Sequence, residues 1–269
     1  MSLIVCIRGG GDLGSGVALR LHRSGMQVVI CELATPLVVR RTVAFAEAMF
    51  SGSITVEGVS GRKASGQDEI DQCLGQRVIP VVADPDLELL FWLKPDVIVD
   101  ARLLKTIVNH RVDQIPLLIG LGPGFTAGIN CHAVVETKRG QNLGRVYWQG
   151  SSEPNSGIPE MVLGYVEDRV LRAPTDGKFK GLVKIGQIVA KGEQLAIVSG
   201  IQVTAAFDGV VRGLLADGVP VTQGMKVGDL DPRLDVDLTL FVSDKALAVG
   251  GGVLEAILTR PELRQKLSG

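Results

Sequence analysis

The chain has 269 residues, 46% of them apolar, with 28 basic against 29 acidic side chains and a formal net charge of -1. That apolar content supplies a folded core and excludes a disordered chain, and the balanced charge gives no pull toward nucleic acid or an anionic membrane surface. Aromatic residues make up 4%, too few for a base-stacking platform, and no apolar run approaches the roughly 20 residues that cross a bilayer.

In chain order, residues 3–8 read as a buried strand and 14–24 as a helix stopped by Gly25. Residues 27–32 (QVVICE) read as a second strand, which completes one strand–helix–strand unit. A helix is predicted from Leu37 to Met49, after Pro36, and a strand or hairpin arm over 53–59. Residues 68–75 and 86–93 look helical, and 77–82, 96–101 and 115–121 extended. Strands alternating with helices predict a Rossmann-like α/β domain with a parallel sheet covered on both faces, over residues 1–168.

Beyond residue 168 the texture changes. The stretches 173–198 and 205–230 align without gaps at an offset of 32, with Ala173/Ala205, Asp176/Asp208, Gly177/Gly209, Gly181/Gly213 and Gly192/Gly224 identical. Two such β-meanders predict a small all-β barrel-sandwich hybrid over 169–240, like biotinyl and lipoyl carrier domains, in two pseudo-symmetric halves. The junction Ser199-Gly200-Ile201-Gln202-Val203 has no lysine, so covalent biotin or lipoate is not expected. Residues 241–269 predict a C-terminal helical segment, interrupted at Gly250, Gly251 and Gly252.

The four cysteines, Cys6, Cys31, Cys73 and Cys131, form no CxxC pair, so no structural metal site is expected and the chain reads as reduced and cytoplasmic. No basic, cleavable apolar leader opens it. The three histidines, His22, His110 and His132, are scattered. Cys131 and His132 are neighbours, and on a strand neighbours face opposite ways.

Gly9, Gly10, Gly11, Asp12, Leu13 and Gly14 fit G-x-G-x-x-G, after a strand and before a helix, with Glu32 at the end of the next strand. Glycines there let a phosphate approach the backbone, and the helix N-terminus offers N–H donors. Glu32 is placed to accept from a ribose hydroxyl. Asp12 would repel a phosphate unless a cation intervenes, and Arg40 and Arg41 are at hand to supply one. A second glycine loop, with Gly122, Gly124, Phe125 and Thr126, follows an apolar strand and predicts a second wall of the same crevice. Glu136 and Arg139 are candidates for gripping a polar ligand, with Lys138, Asp100 and Lys105 nearby.

The stretches RGGGDLGSGVALRLHRSG, ELATPLVVRRTVAFAEA, GLGPGFTAG, VVETKRGQNLGRV and SDKALAVGGGVLEAIL resemble the accessory proteins of selenium-dependent molybdenum hydroxylases, the YqeB group. The resemblance covers essentially the whole chain. It implies a Rossmann-like domain joined to a barrel-sandwich hybrid, and a role in maturing molybdenum hydroxylases. It carries over to Gly9–Gly14, Glu32, Arg40, Arg41, the 120–128 loop, Glu136, Arg139 and Gly140. The chain departs from the group's pattern at Gln141, where a histidine is usual, and at Asn130, where an acid is common.

These observations lead to an accessory protein that holds a small anionic ligand, a nucleotide or a molybdopterin-type cofactor, and meets a client hydroxylase. An NAD(P)-dependent oxidoreductase and a non-catalytic scaffold are the alternatives. No nucleic-acid or membrane partner is expected, and self-association is left open.

Overall fold

The computed structural model describes residues 3–106, 115–154 and 161–267; His110 lies outside them. The first half of the chain runs β1 (Ile4–Arg8), α1 (Asp12–Arg23), β2 (Gln27–Glu32), α2 (Ala48–Ser51), β3 (Ser53–Val56), β4 (Val59–Lys63), α3 (Gly66–Gly75) and β5 (Ile79–Ala83). It continues with α4 (Leu90–Leu93), β6 (Val97–Asp100), β7 (Leu118–Leu121), β8 (Thr126–Ala127), β9 (Ala133–Val135), β10 (Val146–Tyr147) and β11 (Gly150–Ser151). Nine of these strands form one sheet in the order β10-β9-β7-β6-β1-β2-β5-β4-β3.

Side-chain alternation along the strands explains why two cores exist. Val5, Ile7, Val28, Ile30, Val97, Val99 and Ile119 face one way and pack under α1 and the C-terminal helix. Cys6, Val29, Cys31, Ile98, Leu118 and Val134 face the other way and pack with Ile70, Cys73 and Phe125. Because both faces are buried, the strands read as continuous apolar runs rather than as alternating ones.

The rest comprises β12 (Val170–Arg172), β13 (Gly177–Gly181), β14 (Ile188–Val189), β15 (Gln194–Val198), β16 (Ile201–Thr204), β17 (Gly209–Leu214), β18 (Pro220–Val221) and β19 (Lys226–Asp231). They pair as two four-stranded sheets, β12-β19-β17-β14 and β16-β15-β13-β18, around a core that includes Phe179, Leu195, Val211 and Leu230. Helices α5 (Asp244–Leu258) and α6 (Pro261–Leu267) then return to the large sheet.

The expected fold class does not hold. The large sheet is mixed: β3 pairs antiparallel with β4 and β10 with β9, one at each edge. A tight Glu57-Gly58 turn, both residues at positive φ, makes the first of these a hairpin rather than a crossover. Among the described residues only α1, α3 and α5 reach ten residues, so helices do not cover both faces in the doubly wound manner.

The all-β part is also not a detached carrier-like domain. The strap between β2 and α2 is bonded across to it: Leu214 N–H donates to Val39 O at 2.7 Å, and Thr42 Oγ1 donates to Thr239 O at 2.5 Å. These bonds explain a second correction. The helix predicted over 37–49 is absent, replaced by short turns at Arg41–Val43 and Phe45–Glu47 ahead of α2, because backbone groups of the strap bond outward, Val39 O to β17, Phe45 N–H to Ser15 and Ala46 N–H to Gly10 O.

The glycines of α5 do not interrupt it. They form a close helix contact. A Cβ on Gly16 would lie 2.6 Å from the Ala246 Cβ, and one on Gly250 would lie 2.8 Å from Gly16 O. Only glycine lets α1 and α5 approach this closely, and the packing outweighs its low helix propensity. Ser243 caps the start of α5 by accepting the Ala246 N–H at 3.1 Å.

Candidate functional site

A crevice of about 710 Å³ opens where β1, β2, β5 and β6 end. Its size falls in the range of small-molecule sites. Gly9 and Gly11 form its floor at the N-terminus of α1, and its walls are largely aliphatic, from Leu13, Leu33, Leu37, Leu103 and Leu104. Arg8, Arg102 and Lys245 bring positive charge to it, and Asp12, Glu32 and Asp86 negative.

Each glycine of the first loop has its own reason. Gly9 has φ +101°, a conformation that disfavours a side chain. A Cβ on Gly14 would sit 2.0 Å from Gly9 O, so this glycine lets the helix press against the strand end. Gly11 has no atom within 4 Å of its Cβ position and no side-chain cap at the helix start. It faces the crevice with open space above it. Ser15 fixes the loop from behind: its hydroxyl donates to Gly10 O at 3.0 Å and accepts the Phe45 N–H at 2.8 Å.

The charged groups are held by partners. The Glu32 carboxylate accepts the Gly10 N–H on Oε2 at 2.8 Å and the Leu33 N–H on Oε1 at 2.7 Å. Burial pushes its pKa up against the pull of those two amides. Asp12 pairs with Arg40 at 2.9 Å, so a cation does stand beside the loop's carboxylate. Arg40 is only 4% exposed and also donates to the Leu238 and Phe241 carbonyls at 3.1 and 2.9 Å. Burial lowers the Arg40 pKa and Asp12 raises it; a guanidinium keeps its charge throughout.

Arg102 makes a fork to the fully buried Asp100, with Nη2 2.6 Å from Oδ2 and Nε 2.9 Å from Oδ1. Arg8 donates through Nε to Pro85 O at 2.8 Å. Burial and then the neighbouring Arg102 lower its pKa.

Other sequence candidates lie elsewhere. Arg41 donates to Leu214 O at 2.9 Å and pairs with Glu47 at 3.0 Å, away from the crevice. The second glycine loop is not among the residues lining it; Arg102, Leu103 and Leu104 are. Phe125 is fully buried, and a Cβ on Gly120 would fall 2.1 Å from its ring. A Cβ on Gly124 would meet Leu104 O at 2.6 Å, and one on Gly122 would meet Thr137 Oγ1 at 3.0 Å. These glycines serve packing. Thr126 donates its N–H to Asn130 Oδ1 at 2.7 Å and shares a 2.7 Å hydroxyl contact with Ser151.

Glu136 is 1% exposed and accepts three backbone amides, and Lys138 pairs with Glu153 at 2.7 Å. Arg139 forks onto Asp244 at 2.6 Å and holds its pKa down to about 2. Lys105 is exposed and does not line the crevice. Sequence reasoning missed Arg8 and Arg102, although both stand at strand ends where ligands bind in parallel sheets. Lys245 had no local signal, because it arrives from a distant helix.

The four cysteines are all buried. Burial pushes the Cys131 thiol up to about 11, while Cys31 is raised first by its contact with Cys6, 3.4 Å away, and then by burial. His132 faces a separate pocket with Trp148 and Arg260. A brief iodoacetamide treatment at pH 8 is therefore expected to modify none of the cysteines in the folded chain and all four after unfolding, read by intact mass. Alkylation of folded Cys131 would make it a nucleophile candidate.

Comparison with known proteins adds a relative. The chain is 47% identical over 255 residues to YqeB, an uncharacterized protein of Escherichia coli strain K12, an alignment covering 95% of this chain. It spans 47% of that protein's length. No family model matches the chain. Solved structures resembling it include an aspartoacylase family protein from Mesorhizobium loti, at 11% identity over 86% of this chain and 85% of that one, with a TM-score of 0.27. Another is a succinylglutamate desuccinylase/aspartoacylase from Rhodobacter sphaeroides, at 15% identity over 85% of each chain, with a TM-score of 0.28. At these scores the likeness carries no argument about fold or residue roles. No helix among the described residues is long and apolar enough to cross a membrane, and no group of three or more His, Cys, Asp or Glu among them is placed to hold a metal ion.

Proposed function

We propose that this chain is a cytoplasmic accessory protein in the maturation of molybdenum hydroxylases of the selenium-dependent kind. It holds an anionic, nucleotide-like or molybdopterin-type molecule in the glycine-floored crevice and hands it to, or modifies it for, a client hydroxylase. One observation carries the ligand half of this reading: Gly11 faces open space at the start of α1, inside a crevice of about 710 Å³ with arginines at its rim. Unpaired N–H groups at a helix start favour an anion, and the leucine walls suit a flat heterocycle. The client half is supported by the sequence resemblance to the YqeB group.

The test is to purify the chain, identify co-purifying small molecules by mass spectrometry, and titrate molybdopterin dinucleotide, NAD(P) and ATP by thermal shift. A bound pterin, or a shift selective for the pterin dinucleotide, is the expected result. A response confined to nicotinamide nucleotides would replace this reading with the oxidoreductase. Silence across the series would leave a scaffold without a small ligand.

A further inference from the structure

Glu32 is the crevice carboxylate that backbone amides fix in place, and they leave half of its acceptor positions unused. Each Glu32 oxygen accepts a single backbone N–H, Gly10 on one and Leu33 on the other. A carboxylate oxygen accepts two hydrogen bonds, so one acceptor position on each oxygen remains. The two amides hold the group immobile, and its surroundings in the crevice are mostly aliphatic. A second anion has no reason to approach it. What complements a fixed carboxylate is a pair of parallel donors, as in an arginine fork.

Two kinds of ligand group offer such a pair. A vicinal diol does, but a ribose also brings a ring oxygen and further polar edges, which lose hydrogen bonds among leucines. The edge of a 2-amino-4-oxopyrimidine ring presents an N–H and an NH₂ side by side on a flat body that packs against Leu33, Leu37, Leu103 and Leu104. We infer that Glu32 selects ligands with that edge, shared by guanine and pterin, while their anionic end lies toward Arg8, Arg102 and the start of α1. The inference rests on the crevice being the ligand site.

Calorimetric titration of the full chain tests it. The compounds are GMP, IMP, AMP and dGMP, with pterin-6-carboxylate against lumazine-6-carboxylate, which lacks the amino group. Loss of one hydrogen bond to a charged group is expected to weaken binding by about ten-fold or more. GMP is therefore expected to bind about ten-fold or more tightly than IMP, or the pterin than the lumazine; the tighter of GMP and pterin names the source. Glu32→Gln is expected to erase the difference, and circular dichroism and the melting curve confirm that the variant folds. The wild-type comparison stands even if it does not. Equal affinity with and without the amino group overturns the inference alone. So does a loss on going from GMP to dGMP with AMP unaffected, which would assign Glu32 to a diol. Failure of every compound to bind overturns the crevice as ligand site as well.

Discussion

Gly14→Ala is expected to unfold the chain at markedly lower temperature, while Gly11→Val leaves it folded and blocks the helix-start end of the crevice. The two glycines are three positions apart, Gly11 at the cap and Gly14 in the first turn of α1, and their surroundings are opposite. A Cβ on Gly14 would stand 2.0 Å from Gly9 O and 3.1 Å from Gly9 C, both backbone atoms that cannot swing aside. Separating α1 from β1 to relieve that clash disturbs the buried packing of Leu13, Val17 and Val5. The expected cost is about 3 kcal/mol, which for a chain of this size lowers the melting temperature by roughly 6–12 °C. Gly11 has φ -70° and no atom within 4 Å of its Cβ position. Valine is a poorer helix start than glycine, at a cost of about 1 kcal/mol. Its side chain then projects into the space that a ligand group at the helix start would take. Melting curves of both variants, with ligand titration of the second, check this. Wild-type melting of Gly14→Ala would contradict the close helix–strand contact. Wild-type ligand affinity of Gly11→Val would remove the crevice from consideration.

The parts legible in the sequence are those where local pattern and tertiary packing agree. Strands β1 and β2 are apolar because both sheet faces are buried, and their runs stand out. The offset of 32 reappears in the hydrogen bonds: Gly186 N–H donates to Val211 O, and Gly218 N–H to Phe179 O, both at 2.8 Å. Yet the repeat did not disclose how its strands are tied to the first half, because the bonds from Val39 and Arg41 to Leu214 join residues more than 170 positions apart. The same bonds override the helical pattern of 37–49. The glycine run of α5 misled for the complementary reason. Propensity counts it as a break, and only the facing Gly16 shows it to be a contact surface. In the candidate site, Glu32 and the first loop were found because they lie within one strand–helix–strand unit. The second loop was misplaced, because glycines that clear room for Phe125 and glycines that clear room for a phosphate look alike in sequence.

Glu136 separates a ligand-gripping acid from a structural one, and the expected result is structural. Its side chain is buried, with Oε1 accepting the Thr137 and Lys138 amides and Oε2 the Glu153 amide, each at 2.7 Å. Glu136→Ala leaves these donors without their acceptor, the Thr137 amide in a buried position and the Lys138 and Glu153 amides in part-buried ones, at about 1–3 kcal/mol for each that stays unsatisfied. A net loss of about 3–5 kcal/mol is expected once the loop relaxes. Glu136→Gln keeps the shape but turns an NH₂ group toward an amide donor, so it is also destabilising, by a smaller amount. The damage spreads to α5, because the loop that Glu136 anchors carries Arg139 to its fork on Asp244. Denaturant melts of both variants read the stability loss, and ligand titration below the melting range reads the site. Lower stability with unchanged affinity is expected. Unchanged stability with lost affinity would return Glu136 to the ligand, as the sequence pattern had placed it, and would require the crevice to extend to the end of β9.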